Sequence, residues 1–241
     1  LEEEGILFSC DFFGSHLATS ELYVDDEARV YEAAKRYYAE IMMPFRKAIR
    51  GNMKKVEALE VSVIAPSHGP VYAEPAFIID AYNDWISEGV SNQVVLPFVS
   101  MHGSTRMMVD RLAQELADRG VETVLFDLAV TDIGKLAIAL VDAATVVVGT
   151  PTVHAGPHPL AGYAAGLANA LRPKARFASV IGSYGWHGHA AEDIAGALPA
   201  LKVELLEPVV CKGRPGGDDL ERVAALAEAI AGKHREAGLM D

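Results

Sequence analysis

From Val30 to Ile49 the apolar residues Val30, Ala33, Ala34, Tyr37, Tyr38, Ile41, Met42, Phe45, Ala48 and Ile49 recur at steps of three and four, the spacing of one helical face. Pro44 lies inside that run and predicts a kink. A charged turn around Gly51 and the stretch Val56 to Leu59 follow. Val61-Ser62-Val63-Ile64-Ala65 then reads as a short buried strand, ended by Pro66-Ser67-His68-Gly69-Pro70. Phe77, Ile78, Ala81, Tyr82 and Trp85 share one face of a helix over roughly 75–86. The polar, turn-forming Ser87-Glu88-Gly89-Val90-Ser91-Asn92 is the expected boundary between a domain at 1–90 and one at 91–241.

Beyond it, short apolar runs alternate with helical periods. Strands are predicted near 94–99, 121–126, 145–149, 176–182 and 203–210, and helices near 104–119, 132–142, 159–170, 190–198 and 218–237. Five such β-α units make an α/β domain with a doubly wound parallel sheet. A flavodoxin-like order 2-1-3-4-5 places the ligand outside the carboxyl ends of strands 1 and 3. Pro97 falls in the central strand, so a local irregularity or a later strand start is expected there. There is no internal repeat and no low-complexity segment.

Composition narrows the class. Of the 241 residues, 51% are hydrophobic and 22% charged, a globular balance. The net charge of −12, without a segregated basic patch, argues against nucleic acid. Cys10 and Cys211, the only cysteines, fit neither a disulfide framework nor a thiolate metal site. No apolar run is long enough to span a membrane and no basic leader precedes Ile6, so a cytoplasmic location is expected. The apolar Ile6-Leu7-Phe8, reached almost at once from Leu1, reads like a strand entered in mid-domain, as in a fragment, a processed product or half of a split protein.

Three segments at the predicted carboxyl edge carry unusual chemistry. Ser100-Met101-His102-Gly103-Ser104-Thr105 is a hydroxyl-rich turn entering a helix, where free amides and hydroxyls can enclose a phosphate. It lacks the lysine of a Walker loop and the GxGxxG of a dinucleotide fold. It serves equally well as an ordinary helix cap. The stretch from Gly149 to Pro159 is rich in Pro and Gly and should form a rigid loop. In Gly182-Ser183-Tyr184-Gly185-Trp186-His187-Gly188-His189, two flat aromatic surfaces between glycines suit stacking on a planar ring.

These three segments resemble the FMN loops of a flavodoxin domain. Before the boundary, Leu7-Phe8-Ser9-Cys10-Asp11-Phe12-Phe13-Gly14, Tyr37 to Phe45 and Ala65-Pro66-Ser67-His68-Gly69-Pro70 are similar to the second half of the metallo-β-lactamase-like αββα domain of flavodiiron proteins. The resemblance covers essentially the whole chain. It implies an FMN site built from Ser100, Met101, His102, Gly103, Ser104 and Thr105; from Pro151, Thr152, Val153, His154 and Gly156; and from Ser183, Tyr184, Gly185, Trp186 and Gly188. It also implies that Asp11 bridges two irons and His68 is a terminal ligand. An HxExDH-type motif and a further His, which supply the family's other ligands, are absent; His16 reads as an ordinary polar loop residue.

The activity so implied is an FMN-dependent oxidoreductase component that passes electrons to a non-haem diiron site reducing dioxygen to water or nitric oxide to nitrous oxide. Two alternatives stand beside it: an FMN-binding electron-transfer and docking subunit without its own complete metal site, and, less in keeping with the attached flavodoxin domain, a metallo-hydrolase. No rubredoxin-like pair of CxxC motifs follows, so the expected partner is a separate donor such as rubredoxin, a reduced deazaflavin or a nicotinamide system. A second chain could carry the absent ligands. Apolar surface on the helix bearing Tyr37, Tyr38 and Phe45 predicts an oligomer, and the resemblance implies a head-to-tail dimer.

Overall fold

Ile6–Cys10 (β1) and Val63–Pro66 (β2) pair in parallel from Ile6 opposite Val63 to Cys10 opposite Pro66, with a register shift between Phe8 and Cys10. They belong to the first of two compact units, Leu1–Gly89 and Val90–Asp241, of a computed structural model that describes all 241 residues. β2 begins two residues later than the apolar run suggests, because Ser62 and Val63 both donate to the carbonyl of Gly5. The long amphipathic run is two helices, Glu27–Tyr37 (α1) and Arg46–Val56 (α2), joined by a π-helical turn over Tyr38–Met42 and a 3-10 turn over Met43–Phe45. Pro44 has no N–H to donate, and these irregular turns absorb the loss in place of a simple kink. The turn expected around Gly51 is absent: Gly51 lies inside α2, where Ile49, Met53 and Val56 bury one face and outweigh the poor helix propensity of glycine.

Pro75–Ile86 (α3) forms as predicted and closes an aromatic core. Tyr82 stands 5.2 Å from Trp85 and 5.6 Å from Tyr38 between ring centroids, and the Tyr38 hydroxyl donates to the Trp85 carbonyl at 3.3 Å. Such pairs contribute about 0.5–1.5 kcal/mol each beyond area burial. Tyr37 and Tyr38 are therefore core residues. Of the three aromatics expected to form an apolar surface, only Phe45 is exposed, which removes the sequence argument for an oligomer.

The second unit is built on Ser91–Phe98 (β3), Glu122–Asp127 (β4), Ala143–Val153 (β5), Gly156–Pro157 (β6), Phe177–Tyr184 (β7), Glu204–Leu205 (β8) and Val209–Lys212 (β9). Parallel pairing runs β4-β3-β5-β7, with β8 and β9 both beside β7. That is the expected 2-1-3-4-5 order, its fifth strand broken before Pro208. The helices are Ser104–Asp118 (α4), Ile133–Leu140 (α5), Pro159–Leu171 (α6), Ala190–Gly196 (α7) and Gly217–Glu236 (α8). α4 and α8 share one core with Leu96, Val147, Ile181 and Val209. Right-handed crossovers put α5, α6 and α7 on the opposite face. Covered on both sides, β5 is continuously buried from Ala143 to Pro151.

The irregularity expected at Pro97 is confined to one ladder. β3 pairs with β4 without a break from Gln93 to Phe98. Val99 donates to Gly149 at 3.0 Å, so alternation turns the Pro97 nitrogen toward β5 as well, and there the pairing omits Leu96 and Pro97. The strand itself begins at Ser91, not later.

His234 on α8 ties that helix to the sheet and is completely buried. Asn92 donates through Nδ2 to the Gly120 carbonyl at 2.9 Å, which turns its Oδ1 to accept from His234 Nδ1 at 2.7 Å. Nε2 is then free to accept from Thr145 Oγ1 at 2.7 Å, so the neutral imidazole is fully satisfied. Burial pushes its pKa from 6.5 down to about 4. Between these values the unfolded chain binds a proton that the folded chain refuses, so stability falls as pH drops through that window, by about 2–3 kcal/mol for this one group. His234→Gln should be less stable than the parent at pH 7, and the gap should narrow toward pH 4.5 in urea titrations. A gap that does not change with pH would refute this account.

Candidate functional site

Parallel pairing of β1 and β2 delivers Asp11 and His68 to the same strand edge, and His68 Nε2 lies 3.1 Å from Asp11 Oδ1. The loop between them is strained and pinned. Cys10, Phe13 and His16 all have positive φ, a conformation that costs non-glycine residues roughly 1 kcal/mol or more each. In return, Ser15 and His16 donate their amides to the His68 carbonyl at 2.6 and 3.0 Å, and the Tyr72 hydroxyl donates to Phe13 at 2.9 Å. Gly69, at φ +133°, permits this approach; a Cβ there would collide with Ser15 Oγ. Sequence reasoning passed over His16, whose ring centroid stands 4.8 Å from that of His68 and 4.5 Å from that of Tyr37. Burial, and secondarily the Asp11 charge, raise the Tyr37 hydroxyl pKa.

Asp11 and His68 thus meet as expected, as two donors and not a complete metal site. Their facing atoms are spent on each other, and no group of three or more His, Cys, Asp or Glu side chains in the chain could hold a metal ion. Two donors alone do not fit a diiron centre.

In the second unit a cavity of about 440 Å³ opens at the carboxyl edge of the sheet. Met101, His102, Ser104 and Thr105 line it from the start of α4; Pro151, Thr152 and Val153 from the end of β5; Ser183, Tyr184 and Gly185 from the end of β7. At the α4 N-terminus, Gly103 takes φ +86° and offers no side-chain cap, so the amides of Ser104 and Thr105 have no partner within the chain. Thr105 Oγ1 stands 3.5 Å from Ser183 Oγ. No carboxylate lines the cavity, although the chain carries a net charge of −12. Size, free amides and hydroxyls fit a phosphate-bearing planar ligand such as the expected FMN.

Six of the expected residues do not line this cavity. Ser100 caps instead: its Oγ accepts from the Arg106 amide at 3.1 Å. Gly103 is the helix N-cap. The expected loop after Gly149 is strand as far as Val153 and then a tight hairpin, Thr152 opposite Pro157 and Val153 opposite Gly156. His154 and Ala155, both at positive φ, form its two-residue turn, so His154 sits at the tip and Gly156 in the returning strand. Gly188 packs against Thr152 and the Ala155 backbone too closely for a Cβ. Trp186 is 90% exposed and lines a neighbouring cavity of about 330 Å³, which shares Thr152 and Tyr184 with the first.

Two lining residues were missed, Gly213 and Arg214, which follow β9. The signal was present in Gly213-Arg214-Pro215-Gly216-Gly217, a Gly/Pro-rich turn at the same edge, but the run lacked hydroxyls and aromatics.

A doubly wound sheet with such a cavity at its carboxyl edge defines a flavodoxin-type domain. The flavodoxin family model matches residues 96–239, and the model for the ODP family beta lactamase matches residues 2–69. The chain is 34% identical over 238 residues to a nitric oxide reductase of Moorella thermoacetica, covering 96% of this chain and 60% of that protein. Rubredoxin oxygen:oxidoreductase from Desulfovibrio gigas superposes with a TM-score of 0.91 at 27% identity, over 97% of this chain and 60% of that one. The flavodiiron protein from Giardia intestinalis gives 0.83 at 26%, over 96% and 61%. The chain belongs to the flavodiiron protein family. It spans about 60% of the length of these relatives.

Gly69→Ala should force Ser15 off His68 and release the pinned loop, destabilising the first unit by about 1–3 kcal/mol. In a Trp186→Phe background, where Trp85 is the only indole, urea unfolding followed by tryptophan fluorescence should show the loss. An unchanged midpoint would mean that the close approach does not hold the loop.

Proposed function

We propose that this chain is the FMN-bearing part of a flavodiiron oxygen or nitric oxide reductase, a soluble cytoplasmic oxidoreductase served by a separate reduced electron donor. The observation that carries the reading is the carboxylate-free cavity, in which the two open amides of α4, the hydroxyls of Ser104, Thr105 and Ser183 and the flat face of Tyr184 converge. Bound there, FMN would supply the electron-transfer chemistry that none of these side chains possesses. The chain's own task is to hold it. The α4 N-terminus would hold the phosphate and the β5 and β7 ends the rest of the ligand, with the hairpin at His154-Ala155 closing the end of β5.

In this reading Asp11 and His68 are the chain's contribution to the diiron centre, and the further donors come from polypeptide outside these residues, on the same or another chain. The competing reading is an electron-transfer and docking subunit without its own complete metal site; the residues present form no three-donor cluster.

Reconstitution separates the two. The protein should bind FMN and turn yellow, and replacing Ser104 and Thr105 together by Ala should weaken binding by about 1–3 kcal/mol, because each hydrogen bond to a phosphate is charge-assisted. Extracted flavin running as FAD, or no flavin uptake, would overturn the proposal. Assembled with the remaining donors, Asp11→Ala should lose iron and oxygen or nitric oxide consumption while keeping its FMN. Retention of full iron and activity would leave the docking-subunit reading.

A further inference from the structure

Arg214 is a cation in a cavity whose other lining residues carry no formal charge apart from the titratable His102. It lies on the turn after β9, at the carboxyl end of the fifth strand, and its guanidinium makes no hydrogen bond or ion pair within the chain. Arg106, the other arginine near the α4 N-terminus, is by contrast engaged: its Nε donates to Asp110 at 2.8 Å and it lies over the Phe98 ring at 5.3 Å.

The topology decides which end of the cavity Arg214 approaches. The turn after β9 leads into α8, and α8 packs beside α4 in one core, so the turn rises on the α4 face of the sheet. The segments after β5 and β7 lead to α6 and α7, on the opposite face. β7 is the link across the edge: Ser183 faces Cys211 in the ladder, Gly213 donates to the Tyr184 carbonyl at 2.8 Å, and Thr105 reaches Ser183 from the other side. Arg214 and the open amides of Ser104 and Thr105 therefore share the α4 side of one cavity.

Resting on the FMN reading, we propose that Arg214 is the phosphate-recognising cation of this site, the residue by which the protein discriminates a flavin phosphate from unphosphorylated flavin. Helix amides and hydroxyls offer partial charges only; a guanidinium adds a full charge and a fork that matches two phosphate oxygens. In a chain of net charge −12, a local cation is also what offsets long-range repulsion of a dianion.

The test measures FMN and riboflavin affinities of the full chain, by quenching of flavin fluorescence, for the parent, Arg214→Gln, Arg214→Lys and, as a control for lost charge, Lys212→Gln. Arg214→Gln should lower FMN affinity about tenfold or more and leave riboflavin affinity within about twofold. It should also flatten the salt dependence of FMN binding. Arg214→Lys should recover part of the loss, and Lys212→Gln should change FMN affinity by less than about twofold. Equal losses for FMN and riboflavin, an unaffected FMN affinity, or a Lys212→Gln loss as large as that of Arg214→Gln would overturn the assignment while leaving the FMN reading intact. A parent protein that binds neither flavin would overturn the FMN reading and the assignment together.

Discussion

Strand β7 sits between two parallel ladders, with Ser183 facing Pro151 of β5 on one side and Cys211 of β9 on the other. β7 is buried from Phe177 to Gly182 and paired along both edges, so a slip would break two ladders and repack both faces at once. This register brings the ends of three strands level with each other. Thr105 then closes against Ser183 from α4, and the cavity is complete. Close backbone approaches keep it so: a Cβ on Gly182 would strike the Thr150 carbonyl, and one on Gly149 would strike Phe98.

The architecture was legible because the inner strands of the second unit, β3, β5 and β7, are short apolar runs covered on both faces. The order of the five strands came from the fit of about 150 residues to a flavodoxin-like sheet. What could not be read were the places where hydrogen bonding overrides composition. Thr150 to Val153 looked like loop because Pro and Gly crowd the segment, yet the hairpin at His154-Ala155 extends the strand through them, with two residues in a conformation their side chains disfavour. Gly51 looked like a turn, but three buried side chains on one face hold it in a helix. Tyr37 and Tyr38 looked like surface because periodicity shows that a face is apolar without showing what covers it; α3 covers Tyr38, and Tyr37 packs against His16.

The candidate site divides along the same line. Side chains whose types announce chemistry were found, whereas those whose role depends on topology were not. Ser104, Thr105, Ser183 and Tyr184 belong to the first kind. Arg214 belongs to the second, since a lone arginine in a polar turn carries no signal until α8 is seen packing beside α4. Trp186 stands apart from both: it is exposed and lines the neighbouring cavity that shares Thr152 and Tyr184 with the first.

The two candidate sites differ in what the residues present supply, in a chain that spans about 60% of the length of its relatives. The cavity draws on backbone amides and short hydroxyls at one edge of one sheet, so the pairing that folds the sheet also finishes the site. A dinuclear metal centre needs several long-reaching, mutually repelling or protonatable donors held against one another. Parallel pairing of β1 and β2 supplies two such donors from adjacent loop ends, Asp11 and His68, which hydrogen-bond to each other. Strain in the loop from Cys10 to His16 is held by the His68 carbonyl, Tyr72 and the bare face of Gly69. The two side chains are thus held side by side by contacts of the fold, and folding of the unit meets entropic cost that would otherwise fall on ligation.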